Sequence, residues 1–199
     1  PKNYVKRRLI SHILSKKYNL AGIPGFFQEE DFKWCFSKYR GFFVPVLSDD
    51  GLIQGLSIHL DKPFNNTEDI WFSSSNKING TSSKNYIMKS NITPNTSSVI
   101  LTDNFILGHL IKDALNLPVI SFQNISNSYM ILNSIQNTNI RNITFIVRIP
   151  NCNNNLDYII NRVFRDLLPL GYNLDCKSIT DYNEIFNLDF FDENFNVNN

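Results

Sequence analysis

The second half of the chain alternates between short apolar runs and segments with helical periodicity, and this alternation limits the fold more than any other feature. Strands are predicted at residues 98–102, 118–122, 143–147 and 172–176, and helices at residues 105–115, 128–135, 156–168 and 182–186. Strands that alternate with helices typically form a parallel sheet with the helices packed on it. Residues 96–193 are therefore predicted to form an α/β region with a mostly parallel sheet and flanking helices. Residues 194–199 are predicted to be a frayed tail.

The first half of the chain predicts a different arrangement. Residues 3–18 carry apolar side chains at helical spacing, which indicates an amphipathic helix. Strands are predicted at residues 41–47, 52–60, 70–73 and 86–88. The first two flank Asp50-Gly51, and Asp-Gly between two apolar runs is a strong hairpin signal. Residues 1–95 are thus predicted to form one N-terminal helix followed by an antiparallel β region.

Composition and charge restrict the class of protein. The 199 residues are 42% hydrophobic and 13% aromatic, which is enough for a well-filled core, and the net charge is +1. Basic residues are concentrated near the start, with nine Lys or Arg against three acids in residues 1–40. This distribution leaves two interpretations open: two solvated surfaces, or a basic face for nucleic acid combined with an acidic C-terminal end.

The cysteines and the hydropathy indicate a compartment. Cys35, Cys152 and Cys176 are odd in number and have no C-x-x-C spacing, which favours a reducing cytoplasm over a zinc site or a disulfide framework. No apolar run approaches the length of about 18 residues that spans a bilayer, and no signal peptide opens the chain. We therefore expect a cytoplasmic protein without a membrane partner.

Several segments, in their order along the chain, carry a resemblance to a known family. They are Gly22-Ile23-Pro24-Gly25-Phe26, Gly41-Phe42-Phe43-Val44-Pro45-Val46, Asp50-Gly51-Leu52-Ile53-Gln54-Gly55, and Trp71-Phe72-Ser73-Ser74 with Asn79-Gly80-Thr81. The chain resembles the Toprim-like (topoisomerase–primase-like) domain of unknown function found in replication and primase-type proteins of phages, plasmids and integrative elements. The resemblance covers nearly the whole chain, is most specific in residues 22–83, and implies a Toprim-like sheet.

The resemblance also implies where a metal would bind. Toprim domains place a Glu after the first strand and an Asp-x-Asp pair after a later strand, and these carboxylates hold Mg²⁺ for phosphoryl transfer. Here the matching positions hold Asp103 at the first motif and Arg148 and Pro150 at the second. A later acidic pair of the family is echoed by Asp181 and Glu184. The metal motifs are thus degenerate, and we expect no cofactor unless Mg²⁺ still binds at Asp103, Asp181 and Glu184.

Arg148 is the most informative single residue of this comparison. It ends a predicted parallel strand, where α/β sheets bind ligands in the crevice at their carboxyl edge. One interpretation is a phosphate clamp that replaces the metal. The other is an ion pair with Asp103 on a neighbouring strand.

One polar segment and one aromatic segment each allow two interpretations. The polar loop that follows the predicted strand at residues 70–73 lacks the order of a P-loop, and it is either a phosphate contact or a solvated loop. One group of aromatic residues is either a stacking platform for single strands or core: Phe26, Phe27, Trp34, Phe36, Phe42 and Phe43. His12, His59 and His109 are predicted to be structural, and no catalytic residue is predicted. The residues predicted to contact nucleic acid are Lys6, Arg7, Arg8, Lys16, Lys17, Arg40, Lys77, Lys84 and Arg148.

These observations favour a non-catalytic nucleic-acid-binding accessory protein of a mobile genetic element, derived from a replication or primase-type module. The alternative is a phage- or plasmid-encoded inhibitor that binds a host nucleic-acid enzyme such as a defence nuclease, in the manner of an anti-CRISPR protein. A weaker alternative is a residual Mg²⁺-dependent nuclease or primase that uses Asp103, Asp181 and Glu184.

Overall fold

The computed structural model describes residues 22–186 except 32, 37, 38, 66, 124–127 and 150–155. The predicted helix at residues 3–18 lies outside the described residues. The chain divides into two compact units. The first comprises the described residues up to Pro45 together with Gly55–Lys84, and the second comprises Val46–Gln54 and the described residues from Asn85 onward.

Antiparallel strands build the first unit. The two-stranded sheet consists of β1 (Phe26–Gln28) and β2 (Trp34–Phe36), and the three-stranded sheet has the order β3 (Gly41–Leu47), β4 (Ile53–Phe64) and β5 (Thr67–Trp71). The core of this unit is formed by Ile58, Leu60 and Phe72, with further aromatic and aliphatic side chains packed around them. The predicted antiparallel β region is therefore confirmed, although the sequence did not predict β1 and β2.

The β3–β4 hairpin has the turn that Asp-Gly predicted. Gly51 has a φ of +76°, and its N–H donates a hydrogen bond to the carbonyl oxygen of Ser48 at 2.9 Å. The N–H of Ser48 donates to the carbonyl oxygen of Leu52 at 2.8 Å and closes the loop. A glycine adopts this left-handed conformation without a steric cost, so the hairpin begins from a locally favourable turn.

The second unit contains a five-stranded sheet. Its strands are β6 (Met88–Ser90), β7 (Ser98–Thr102), β8 (Val119–Ser121), β9 (Asn142–Arg148) and β10 (Asn173–Ile179). The order is β10-β9-β7-β8-β6, and all neighbouring pairs are parallel except β6 with β8. The predicted α/β class with a mostly parallel sheet is confirmed. Met88, the last residue of the strand predicted at residues 86–88, begins β6, which is an antiparallel edge strand of this sheet.

Helices cover both faces of the five-stranded sheet. They are α1 (Phe105–Leu115), α2 (Ser128–Ile135), α3 (Leu156–Leu167) and two short 3-10 helices (Leu168–Leu170 and Tyr182–Phe186). Ile100 in β7 packs with Leu107 and Ile111 of α1. Its neighbours Val99 and Leu101 point to the other face and pack with residues of α2 and α3. This alternation explains why β7 is apolar at successive positions, since a strand covered on both faces has no solvent side.

Two asparagines set the limits of α1. The side chain of Asn104 accepts a hydrogen bond from the N–H of Leu107 at 2.9 Å, so Asn104 is the N-cap. Asn116 ends the helix in the left-handed conformation, with a φ of 53°. These caps account for the agreement between the predicted and observed bounds of this helix.

Gly108 has no side chain, and this lets α1 approach the sheet closely. A Cβ atom at position 108 would lie 2.4 Å from Oγ and 2.6 Å from Cβ of Ser121 in β8. We expect Gly108→Ala to lower the free energy of unfolding, because overpacking of about 1–3 kcal/mol outweighs the gain of about 1 kcal/mol in helix propensity. Urea denaturation would measure the change.

A second substitution provides the control for this prediction. Ser121→Gly removes the two nearest atoms that the new methyl group would meet, while Cε of Met88 at 3.1 Å remains, so Gly108→Ala should be less destabilising in that background than in the original protein. An increase in stability on Gly108→Ala alone would show that the helix does not need this close approach.

Candidate functional site

The carboxyl edge of the five-stranded sheet brings together four residues that the sequence singled out. Asp103 directly follows β7, Arg148 is the last residue of β9, and Asp181 and Glu184 follow β10. The parallel register aligns Leu101 with Phe145 and Arg148 with Ile179, so these strands end at the same edge. In an open α/β sheet this edge is where ligands bind.

Arg148 lies against an aromatic ring at this edge. Its guanidinium carbon is 4.8 Å from the ring centroid of Tyr182, which belongs to the second 3-10 helix. Tyr182 itself packs against the core cluster on the α1 side of the sheet. A cation over an aromatic face is attracted by the ring quadrupole, and the contact restricts the conformations of the long side chain. The proposed ion pair between Arg148 and Asp103 stays a prediction.

Asp103 acts electrostatically on a cysteine of β10. Burial raises the pKa of the Cys176 thiol, and the negative charges of Asp175 and Asp103 raise it further. Cys176 packs against the core cluster on the face of the sheet that α2 and α3 cover. A thiol with a raised pKa is a poor nucleophile, because the thiolate is the reactive form.

Asp181 and Glu184 hold the loop that follows β10. The carboxylate of Glu184 accepts a hydrogen bond from the hydroxyl of Thr180, and it also accepts from the N–H of Thr180 at 3.3 Å and of Asp181 at 3.1 Å. Oδ1 of Asp181 accepts from the N–H of Asn183 at 2.7 Å. This reciprocal arrangement is a capping box for the second 3-10 helix. The Asp-x-x-Glu spacing of residues 181–184 is a sequence signal for this motif.

The donor set at this edge does not fit Mg²⁺. Among the described residues, no three His, Cys, Asp or Glu side chains lie close enough to share a metal ion. Asp181 and Glu184 already accept hydrogen bonds from their own loop, and Arg148, the residue that the family resemblance aligns with the start of the second Toprim motif, is a cation. Mg²⁺ prefers several oxygen ligands in octahedral geometry, and a neighbouring guanidinium opposes its charge. Pro150 lies outside the described residues.

The other predicted nucleic-acid contacts are divided between the first unit and undescribed parts of the chain. The side chains of Arg40, Lys77 and Lys84 belong to the first unit, and all three residues are exposed. Nζ of Lys77 lies 5.7 Å from the ring centroid of Phe27. The five basic residues of the predicted N-terminal helix, which are Lys6, Arg7, Arg8, Lys16 and Lys17, lie outside the described residues.

The polar loop that carries Lys77 and Lys84 is built around the buried hydroxyl of Ser74. This hydroxyl donates to the carbonyl oxygen of Phe26 at 2.6 Å and accepts from the N–H of Thr81 at 2.9 Å. Gly80 closes the loop, since a Cβ atom there would lie 1.9 Å from the carbonyl oxygen of Ser74. The loop therefore has a defined conformation, which its polar composition alone did not predict.

The aromatic residues of the first unit fall into two groups. Phe26, Phe36 and Phe43 pack against the core, and Phe27 is buried. The ring of Phe42, by contrast, is 46% exposed and lies 5.0 Å from the His59 ring, whose Nδ1 is 2.8 Å from the carboxylate of Asp69. The ring centroids of two further exposed residues, Tyr39 and Phe64, lie 6.4 Å apart, and neither residue was predicted as a site residue.

Comparison with solved structures identifies the fold. No protein-family model matches the chain, and no curated protein matches it. A DNA primase domain from Pseudomonas aeruginosa matches with a TM-score of 0.59 and 9% identity, over 84% of this chain and 53% of that chain. The zinc-binding and RNA polymerase domains of the Aquifex aeolicus primase match with a TM-score of 0.59 and 10% identity, over 96% of this chain and 46% of that chain.

The protein therefore has a primase-like fold, and this chain spans about half the length of the primase structures it matches. At this level of identity the likeness concerns the fold alone. No helix among the described residues has both the length and the apolar character needed to cross a bilayer.

The capping box of the second 3-10 helix predicts a pH-dependent stability. Hydrogen bonds from the Thr180 hydroxyl and from backbone N–H groups hold the pKa of Glu184 below its ordinary value of 4.5. The ionised carboxylate thus stabilises the folded state above that value, and the contribution disappears as the pH falls through the lowered folded-state pKa. We expect Glu184→Gln to be less stable than the original protein at pH 7, with the difference vanishing in acid.

Chemical denaturation at several pH values would measure this difference. Glu30→Gln, at an exposed turn of the first unit, is the matched control and should show a much smaller difference at pH 7. A Glu184→Gln difference that persists unchanged at low pH would contradict the role assigned to the ionised carboxylate.

Proposed function

We propose that the protein is a non-catalytic nucleic-acid-binding accessory module with a primase-like fold. The observation that carries this proposal is the Arg148 guanidinium stacked on Tyr182 at the carboxyl edge of the sheet. In the Toprim pattern this edge holds metal-binding carboxylates, and in this chain a cation takes the position of the second motif. An edge that would hold Mg²⁺ to neutralise phosphate charge can bind phosphate directly when it carries arginine instead.

The geometry of an arginine suits this role. A guanidinium presents five donors in one plane and can bind a phosphate with two parallel hydrogen bonds. Stacking on Tyr182 already restricts the side chain, so less conformational entropy is lost when a phosphate binds. The exposed Arg40, Lys77 and Lys84 of the first unit would add phosphate contacts that carry no sequence preference.

The resemblance to replication and primase-type proteins of mobile elements supports the proposal that such a module belongs to a mobile element. A domain that keeps the fold but lacks the metal ligands can hold or deliver a nucleic acid on which another protein acts. We infer that it serves as an accessory protein of a mobile genetic element. The alternative, an inhibitor of a host nucleic-acid enzyme, would be favoured if the protein bound no nucleic acid.

Arg148 provides the direct test of this proposal. We expect Arg148→Ala to weaken binding to DNA or RNA oligonucleotides and to lower the slope of log K against log salt by about 1, because one phosphate contact is lost. Arg148→Lys should restore only part of the affinity, since an ammonium keeps the charge but neither stacks nor binds bidentately. Fluorescence anisotropy over a salt series measures both quantities.

The matched control is Arg141→Ala. Arg141 is exposed and directly precedes β9, so it lies at the opposite end of the strand that Arg148 ends. Its loss should change binding much less. Equal effects of the two substitutions would contradict a specific role for the carboxyl edge.

A further inference from the structure

A cavity of about 470 Å³ lies within the second unit, and no residue of the carboxyl edge described above lines it. Its walls come from four separate segments: the turn of the β3–β4 hairpin, β6 with the loop that follows it, the last turn of α1, and the end of α2. This volume lies in the range of about 300–1,000 Å³ that is typical of small-molecule sites.

Two lysines give the lining a positive charge. Lys89 and Lys112 both line the cavity, and their side chains are only 31% and 30% exposed. Nζ of Lys89 lies 2.7 Å from Oδ2 of Asp49, which also lines the cavity. Nζ of Lys112 lies 3.5 Å from its chain neighbour Asp113, which is not part of the lining and is 65% exposed. The lining thus carries two positive charges and one negative charge.

The rest of the lining combines hydrogen-bonding and apolar groups. Ser48, Ser90, Thr93, Ser134 and Asn137 contribute hydroxyl and amide groups, while Met88 and Ile92 contribute apolar surface. A cavity of this kind suits a ligand with an anionic group, several hydroxyls and a less polar part. A simple inorganic anion would leave most of the volume unfilled.

We propose that this cavity binds a small phosphate monoester, such as a sugar phosphate or a nucleoside monophosphate, whose phosphate contacts Lys89 and Lys112. Lysine is a common phosphate ligand in proteins because its ammonium is a compact charge with three donors. An anion in the cavity would give the ammonium of the half-buried Lys112 side chain a closer partner than Asp113, which lies 3.5 Å away. This site is separate from the nucleic-acid interface proposed above and does not depend on it.

Isothermal titration calorimetry on the full chain tests the site with four probes: adenosine monophosphate, ribose 5-phosphate, adenosine and inorganic phosphate. We expect saturable binding of the two monoesters and none of adenosine. Tighter binding of the nucleotide would assign the cavity to nucleotides, and equal binding would assign it to sugar phosphates. Lys112→Met should weaken binding about tenfold, as expected for the loss of one charged hydrogen bond.

Two further variants separate ligand binding from a structural role of the lysine. Asp49→Asn removes the negative charge beside Lys89 and should tighten binding several-fold, whereas a purely structural ion pair predicts no such gain. Lys62→Met, at an exposed lysine of the first unit, should leave binding unchanged. If Lys112→Met fails to fold, the Asp49→Asn result still decides the question.

Absence of saturable binding of either monoester at about 10 mM would overturn the proposal, since that concentration detects a Kd of about 1 mM. Equal loss of binding in Lys112→Met and Lys62→Met would also overturn it. Lys112→Met should leave oligonucleotide affinity unchanged, so failure here and failure of the nucleic-acid proposal are distinguishable.

Discussion

The parallel pairing of β7 with β8 and β9 determines where the other strands and the helices of the five-stranded sheet lie. All five residues of β7 are buried, and the strand presents apolar side chains to helices on both faces of the sheet. Because β7, β9 and β10 run parallel, their carboxyl ends meet at one edge. The residues that follow these strands are thus brought together by the fold, whatever their own chemistry is.

At that edge, the side chains that the sequence singled out are one cation and three carboxylates, and the proposed function assigns phosphate binding to the cation. Arg148 is a cation that lies over the Tyr182 ring, and the carboxylates of Asp181 and Glu184 accept hydrogen bonds that hold the start of the second 3-10 helix. The same helix that Glu184 caps supplies the ring on which Arg148 lies. The acidic pair thereby supports the position of the arginine, and loss of the capping box should disturb the arginine as well as the loop.

Much of the second unit could be predicted from the sequence, and the reasons are local. The bounds of β7 and α1 agree with the prediction because the strand has an unbroken apolar centre at residues 99–101 and an asparagine caps the helix at each end. β10 runs to Ile179, three residues beyond the predicted end, since Lys177 and Ser178 are polar positions of an edge strand. β1 and β2 were missed because three residues are too few to show a periodicity.

The candidate site was predictable only in part. Parallel strands imply that Asp103 and Arg148 lie at one edge, but the contact of Arg148 with Tyr182 depends on the path of the chain after β10. The pairing of β6 was also not predictable from the sequence. Its partner β8 lies about thirty residues further along the chain, and no local pattern indicates which strand β6 pairs with. The cavity beside β6 arises from four distant segments, so only the tertiary structure reveals it.

The most direct test of the account is the binding of single- and double-stranded oligonucleotides to the unmodified protein, measured by anisotropy across a salt series with Mg²⁺ and with EDTA. We predict binding whose affinity falls as the salt concentration rises and is no weaker in EDTA than in Mg²⁺, because arginine and lysine rather than a metal contact the phosphates. Binding that requires Mg²⁺ would contradict the assignment of the carboxyl edge. Absence of binding at low salt would contradict the nucleic-acid function itself.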